Sequence, residues 1–188
     1  MHVSPAPGTL DLVCRFVNSC DLEAGTSRRG APQVLSDWLR HESLLPGTVS
    51  ASPEDLDYAL RLRDSLREAM AANLVGAPTP RHARAAINAA ADYSQLTVEL
   101  DEDGGWSLKP RATGTAAALG GIVAEVVRAM TTQEWNRLKV CVNDTCRRAF
   151  YDRSRSRSGR WCSMRTCGNQ SKQNAWRRRH ASGMAKRT

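Results

Sequence analysis

The last four cysteines of the chain form two pairs of equal spacing, Cys141-x4-Cys146 and Cys162-x4-Cys167, on either side of an arginine-rich stretch. Four thiolates arranged as two pairs suit a tetrahedral zinc ion, which takes sulfur ligands at roughly 2.3 Å. A chain reversal within each pair brings both sulfurs to one ion. Residues 141–180 hold little other material for a core: Val142, Ala149-Phe150-Tyr151, Trp161, Met164, Ala175 and Trp176. A segment of about forty residues with so few large apolar groups does not fold alone without a metal or a disulfide. The start, Met1-His2-Val3-Ser4-Pro5-Ala6-Pro7-Gly8, lacks the basic residues and apolar stretch of a secretory signal. We therefore expect a cytoplasmic protein, in which paired thiolates indicate one structural zinc ion rather than disulfides. The competing reading, four buried or free cysteines, leaves the symmetry of the pairs unexplained. Zinc binding supplies folding free energy on the order of 10 kcal/mol in comparable small modules.

Charge divides the chain at the same place. Residues 141–188 contain 13 lysines and arginines against only Asp144 and Asp152, a net charge of +11. Residues 1–140 carry 14 bases and 17 acids, a net of −3. A faintly acidic body with a strongly basic end points to a polyanionic partner, most simply nucleic acid. No apolar run approaches the ~20 residues that span a bilayer, so no membrane partner is expected.

The body, residues 1–138, reads as mainly helical with one small β-hairpin. Leu10, Leu12, Val13, Phe16 and Val17 fit a short helix, and Arg28-Arg29-Gly30 fall in a polar loop. Val34, Leu35, Trp38, Leu39 and Leu45 mark a second helix ending near Pro46-Gly47. Ser52-Pro53-Glu54-Asp55 is a strong helix start, and Leu56 through Leu74 continue an amphipathic pattern to Gly76 and Pro78. Thr79-Pro80 opens another helix. Leu96, Val98 and Leu100 alternate before Asp103-Gly104-Gly105, which predicts a hairpin completed by Trp106 and Leu108. Thr115 to about Leu138 is again helical, and Gly120-Gly121 within it suggests close helix packing.

No catalytic constellation emerges from the body, and no enzymatic activity is expected. His2, His41 and His82 are isolated surface residues on this reading. Asp101, Glu102 and Asp103 suit a hairpin tip better than a metal site. Cys14 and Cys20 could form a redox pair, although small buried apolar residues are the simpler reading.

Within residues 139–182 the order is turn, hairpin, helix, with the second cysteine pair at the helix start. That is the layout of a treble-clef finger with four cysteine ligands. Arg147, Arg148, Arg153, Arg155, Arg157, Arg160, Arg165, Lys172, Arg177, Arg178 and Arg179 are the candidate nucleic-acid contacts. We expect Lys172 and Arg179 to approach the polymer from the helix, and Arg153, Arg155 and Arg157 to grip its backbone from the tip. For that Arg-Ser tip the alternative is a mobile solvated loop. Trp161 and Trp176 are expected to pack in the finger's small core rather than stack on bases. Residues 183–188 form a basic tail.

Cys162-Ser163-Met164, Cys167-Gly168-Asn169, the Cys141/Cys146 pair and Phe150-x-Asp152 together resemble the CGNR-type zinc finger of bacterial proteins. Phe16-Val17-Asn18-Ser19 and Leu35-x-x-Trp38-Leu39 resemble the ABATE domain that usually precedes that finger. The two resemblances span nearly the whole chain. They imply a transcription regulator whose finger binds DNA. The arginine that gives the finger its name is replaced here by Gln170, which removes one expected basic contact and no metal ligand.

The expected function is thus a zinc-dependent regulator binding double-stranded DNA in the bacterial nucleoid, with a body that dimerises or senses a ligand. An RNA-binding module and a zinc-thiolate redox switch are the alternatives. A treble-clef nuclease is disfavoured, because the module offers only His180, Asp144 and Asp152 as catalytic groups.

Overall fold

The computed structural model describes residues 5–19 and 32–184. His2, Cys20, the Arg28-Arg29-Gly30 loop and residues 185–188 of the tail lie outside them, as do the side chains of Arg178, Arg179 and His180. Helix α1 (Leu10–Val17) buries Leu10, Val13, Phe16 and Val17, the apolar face its spacing predicts. Helix α2 (Pro32–His41) stops short of the expected Pro46-Gly47. Ser43 takes a left-handed conformation (φ 59°) and the Leu44 amide bonds back to the Leu39 carbonyl at 2.8 Å, so Leu45 enters the core from a loop.

Helix α3 (Pro53–Val75) begins where Ser52-Pro53-Glu54-Asp55 places it. The Asp55 amide donates to Ser52 Oγ at 3.1 Å, and the Ser52 amide donates to the Asp55 carboxylate at 2.7 Å. It ends in a left-handed cap at Gly76. Helix α4 (Arg81–Tyr93) packs along it, with Tyr93 stacked on Tyr58 at 3.9 Å between ring centres. Strands β1 (Leu96–Leu100) and β2 (Trp106–Pro110) form the expected antiparallel hairpin, Val98 opposite Leu108 and Leu100 opposite Trp106. Alternation puts these four on one face. Beyond its base that face is uncovered: Val98, Leu100 and Trp106 are 61%, 79% and 52% exposed. Asp101 accepts a hydrogen bond from the Gly105 amide and shapes the tip, which is the turn role its composition suggested.

Helix α5 (Gly114–Thr131) is shorter than its predicted run to Leu138. Gln133 breaks it with φ 60°, a 3-10 turn follows at Trp135–Arg137, and Leu138–Val140 is strand β3. The helical reading failed here because Leu138 and Val140 follow a period of two. Both enter the main core, while Lys139 between them bonds on the opposite side. Strand β3 pairs antiparallel with β4 (Ala149–Tyr151). A π-helical turn, Met164–Gly168, then opens helix α6 (Asn169–Met184). Gly120 fulfils the close-packing expectation, since a Cβ there would lie 2.5 Å from Ser94 and 3.0 Å from Pro110; Gly121 faces open space.

Leu62, Leu66 and Met70 of α3 anchor the core, with Phe16, Leu35, Leu39, Leu119 and Ile122 packed around them. Leu138, Val140 and Ala149 belong to the same core, so the hydrophobic interior runs across the junction between body and finger. Arg63 is buried among these residues, which its charge would not suggest. Its guanidinium donates to Asp64 at 2.9 Å and to the Ser19 carbonyl at 3.3 Å, while Arg67 donates to the Val17 carbonyl. Both therefore satisfy carbonyls at and just beyond the C-terminal end of α1, where a helix favours cations. No helix among the described residues is long and apolar enough to cross a membrane.

Candidate metal centre and basic surface

Cys141, Cys146, Cys162 and Cys167 place their sulfurs within 4.8 Å of one another. Cys146 and Cys162 Sγ are 3.6 Å apart, and Cys162 and Cys167 Sγ 3.8 Å. A tetrahedron with metal–sulfur bonds of roughly 2.3 Å has edges of about 3.8 Å. The cluster therefore fits one tetrahedral ion, and an all-sulfur donor set suits zinc.

Local backbone chemistry builds each half of the centre. The Asn143 carbonyl accepts from the amides of Cys146 (2.8 Å) and Arg147 (3.0 Å), and its side-chain oxygen accepts from the Thr145 amide (3.2 Å) and hydroxyl (2.9 Å). Arg147 adopts φ 44° to close this knuckle. On the other side, the Gly168 amide donates to the Ser163 carbonyl at 3.1 Å, so the π turn carries Cys167 inward ahead of α6. Gln170 turns back to the first knuckle, where its side-chain oxygen accepts from Asn143 at 3.0 Å. At this position the missing arginine is replaced by a bond that joins the two halves of the centre.

Burial first, and then the neighbouring sulfurs, push the Cys162 thiol well above its ordinary pKa; burial likewise raises Cys141. A divalent cation is the natural compensation for thiolates gathered in this way. Phe150 and Trp161 complete the small apolar cluster around the sulfurs. Cys14 plays no part in it. It is buried in the body, its thiol pushed up to about 12 chiefly by burial, as expected of an unreactive packing residue.

The Arg-Ser tip is organised by one buried carboxylate. Asp152 accepts from Lys139 Nζ (2.8 Å), the Ser154 amide (3.0 Å) and the Gly159 amide (2.7 Å). Burial alone would raise its pKa, yet the lysine and the tip's donors together lower it to about 2. Lys139 also donates to the Arg157 carbonyl, and Arg137 reaches the Asp152 and Ser154 carbonyls at 2.9 and 3.0 Å. Gly159 is required here, because a Cβ would come within 2.5 Å of the Asp152 carboxylate. The tip is thus a loop tied at its base by hydrogen bonds to Asp152, with Arg155 and Arg157 exposed.

Every described candidate contact lies on the surface: Arg147, Arg148, Arg153, Arg155, Arg157, Arg160, Arg165, Lys172 and Arg177 are all exposed. Among the described residues none of these nine forms an ion pair; in the body Arg15, Arg40, Arg61, Arg63, Arg67 and Arg128 do, while the exposed Arg81, Arg84 and Arg111 do not. Arg153 reaches the Pro5 carbonyl at 2.5 Å and lies over the Tyr151 ring, and Arg160 lies over Trp161. The two tryptophans separate. Trp161 packs on the sulfurs as expected, but Trp176 is 55% exposed beside Lys172, Gln173 and Arg177. An isolated tryptophan in a charged helix is the signal in the sequence for this exposure, against the core position expected for it. Among the described histidines, the exposed His41 lies 3.4 Å from Glu42 and the exposed His82 pairs with Glu68.

Two family models match the chain in tandem. The ABATE model, described as "Putative stress-induced transcription regulator", covers residues 10–133, and the CGNR zinc finger model covers residues 137–180. No curated protein matches.

Proposed function

The chain belongs to the ABATE family and ends in a CGNR zinc finger, and on that premise we propose that it is a non-enzymatic, zinc-dependent transcription regulator that binds double-stranded DNA. Cys141, Cys146, Cys162 and Cys167 would hold the zinc ion, which contributes the folding free energy that the finger's small core lacks. The carrying observation is the row of exposed arginines, with Lys172, that among the described residues have no carboxylate partner on this module. Unpaired surface cations remain available to displace counterions from a phosphate backbone. Because Asp152 and Lys139 shape the loop bearing Arg153, Arg155 and Arg157, those charges are presented from a defined support.

A single finger offers few contacts, so dimerisation would strengthen binding. The uncovered Val98/Leu100/Trp106 face supports a second copy of this chain as its occupant. The reading places the protein in the cytoplasm, associated with the nucleoid. Fluorescence anisotropy with random-sequence duplex tests it. Affinity should fall about linearly in log–log form with salt, roughly 0.9 per neutralised phosphate. A salt-independent or absent signal would overturn the reading.

Trp176 favours one second reading. An exposed indole flanked by Lys172 and Arg177 is suited to stacking on unpaired bases, as in single-stranded RNA. Competition between duplex DNA and single-stranded RNA separates the two.

A further inference from the structure

A cavity of about 660 Å3 opens between α1, α2 and strand β4, at the seam between body and finger. Its size suits a small organic molecule. Val34 and Trp38 form an apolar wall on the body side, and Arg148 through Tyr151 close the finger side. The charges on its walls are unequally committed. Asp11 accepts from the Ala6 amide (2.9 Å) and from Arg15. Glu42 takes the Arg15 guanidinium through both carboxylate oxygens, at 3.1 and 2.6 Å. Asp37 accepts from Gln33 and Arg40, each at 2.9 Å. Arg148 alone among the lining arginines and carboxylates has no side-chain hydrogen bond or ion pair among the described residues.

We propose that this cavity binds a small aromatic carboxylate, its ring against Trp38 and Val34 and its carboxylate on Arg148. Arg148 is the wall arginine whose side chain has no partner among the described residues, and its guanidinium offers two parallel donors to a carboxylate. The site also reaches the finger. Asn18, on the cavity wall, clamps Ala149 by donating to its carbonyl (2.9 Å) and accepting from its amide (2.8 Å). The Arg148 carbonyl accepts from the amide of the metal ligand Cys141 at 2.9 Å. Arg148 is itself a candidate phosphate contact, so ligand and DNA compete for one guanidinium. By linkage each then weakens the other. This second half rests on the DNA-binding reading above; the cavity's ligand class does not.

Isothermal titration of the full zinc-loaded chain tests the ligand class, with salicylate and indole-3-acetate as probes, their amides as neutral controls and tryptamine as the cationic one. The carboxylates should bind one per chain, and the amides and tryptamine at least tenfold more weakly. Arg148→Gln should weaken the carboxylates about tenfold and leave the amides within twofold. Val34→Phe, which fills the wall, should weaken both sets. Equal binding of acid and amide, tighter binding of tryptamine, an unchanged R148Q or no carboxylate binding at 5 mM would each overturn the assignment. Anisotropy in saturating salicylate then reads the coupling. The duplex Kd should rise at least threefold for the wild type and stay unchanged for R148Q; an unchanged wild-type Kd overturns the coupling. Carboxylate binding without any DNA binding would keep the site and reject the DNA reading, and the converse would reject the site.

Discussion

Asp152 concentrates much of the finger's chemistry in one side chain. It neutralises the buried Lys139 and holds two amides of the basic tip. Replacing it by asparagine leaves a buried ammonium without its counter-charge, a change that typically costs about 3–5 kcal/mol; the urea midpoint of Asp152→Asn against wild type measures it. The sign of the pH dependence follows from its lowered pKa. An acid depressed to about 2 in the folded chain contributes stability that is complete above its unfolded pKa of about 4, and loses that contribution as pH falls toward 2. Wild type and D152N should therefore converge in stability through that window. Each metal ligand is similarly decisive. Cys167→Ser should reduce bound zinc well below one per chain by elemental assay, and it should remove the finger's dispersed amide signals. The four ligands were legible in the sequence because their spacing carries the information. The role of Asp152 was not, since a lone aspartate in a basic loop acquires significance only when Lys139 is folded beneath it.

Helices and strands followed the local code wherever a turn residue or cap reinforced it. Helix α3 starts at Ser52 and ends at Gly76 because the reciprocal cap and the left-handed terminator each act within a few residues. Ser52→Ala should cost about 1 kcal/mol in thermal or denaturant unfolding. The two boundaries misplaced from the sequence, Leu45 and Leu138, lie where apolar residues continue after the helix has stopped. Both side chains still reach the core, so burial persisted while the backbone changed conformation. In α6 the sequence showed a charged helix and little about its faces. Trp176 is 55% exposed on the helix that follows the π turn at Met164–Gly168. Trp176→Ala should lower affinity for single-stranded RNA more than for duplex DNA if stacking is its use, with direct titration of both polymers as the measure.

At the scale of the whole molecule, body and finger share an interior. Leu138, Val140 and Ala149 join the main core, and Asn18 is bonded twice to Ala149 across the seam. Asn18→Ala orphans a buried amide and carbonyl together and should cost about 1–3 kcal/mol; hydrogen exchange at Ala149 should quicken with it. Removing zinc with a chelator should accordingly loosen residues 141–168 while leaving the helical body cooperative, as differential exchange would report. The hairpin carries the remaining prediction. If its apolar face joins two copies, Leu100→Lys should shift the chain from dimer to monomer in light scattering without changing zinc content.

What the sequence by itself determined are the features carried by neighbours in the chain: a four-sulfur metal centre, a basic module after an acidic body, capped helices and a hairpin. Each depends on spacing or charge within a few turns of backbone, so it can be read before anything is folded. Tertiary structure alone decided that Arg148 lines a cavity with Trp38 and that Asn18 clamps Ala149. Those relations join residues more than a hundred positions apart, and only packing of the shared core brings them within hydrogen-bond or contact range.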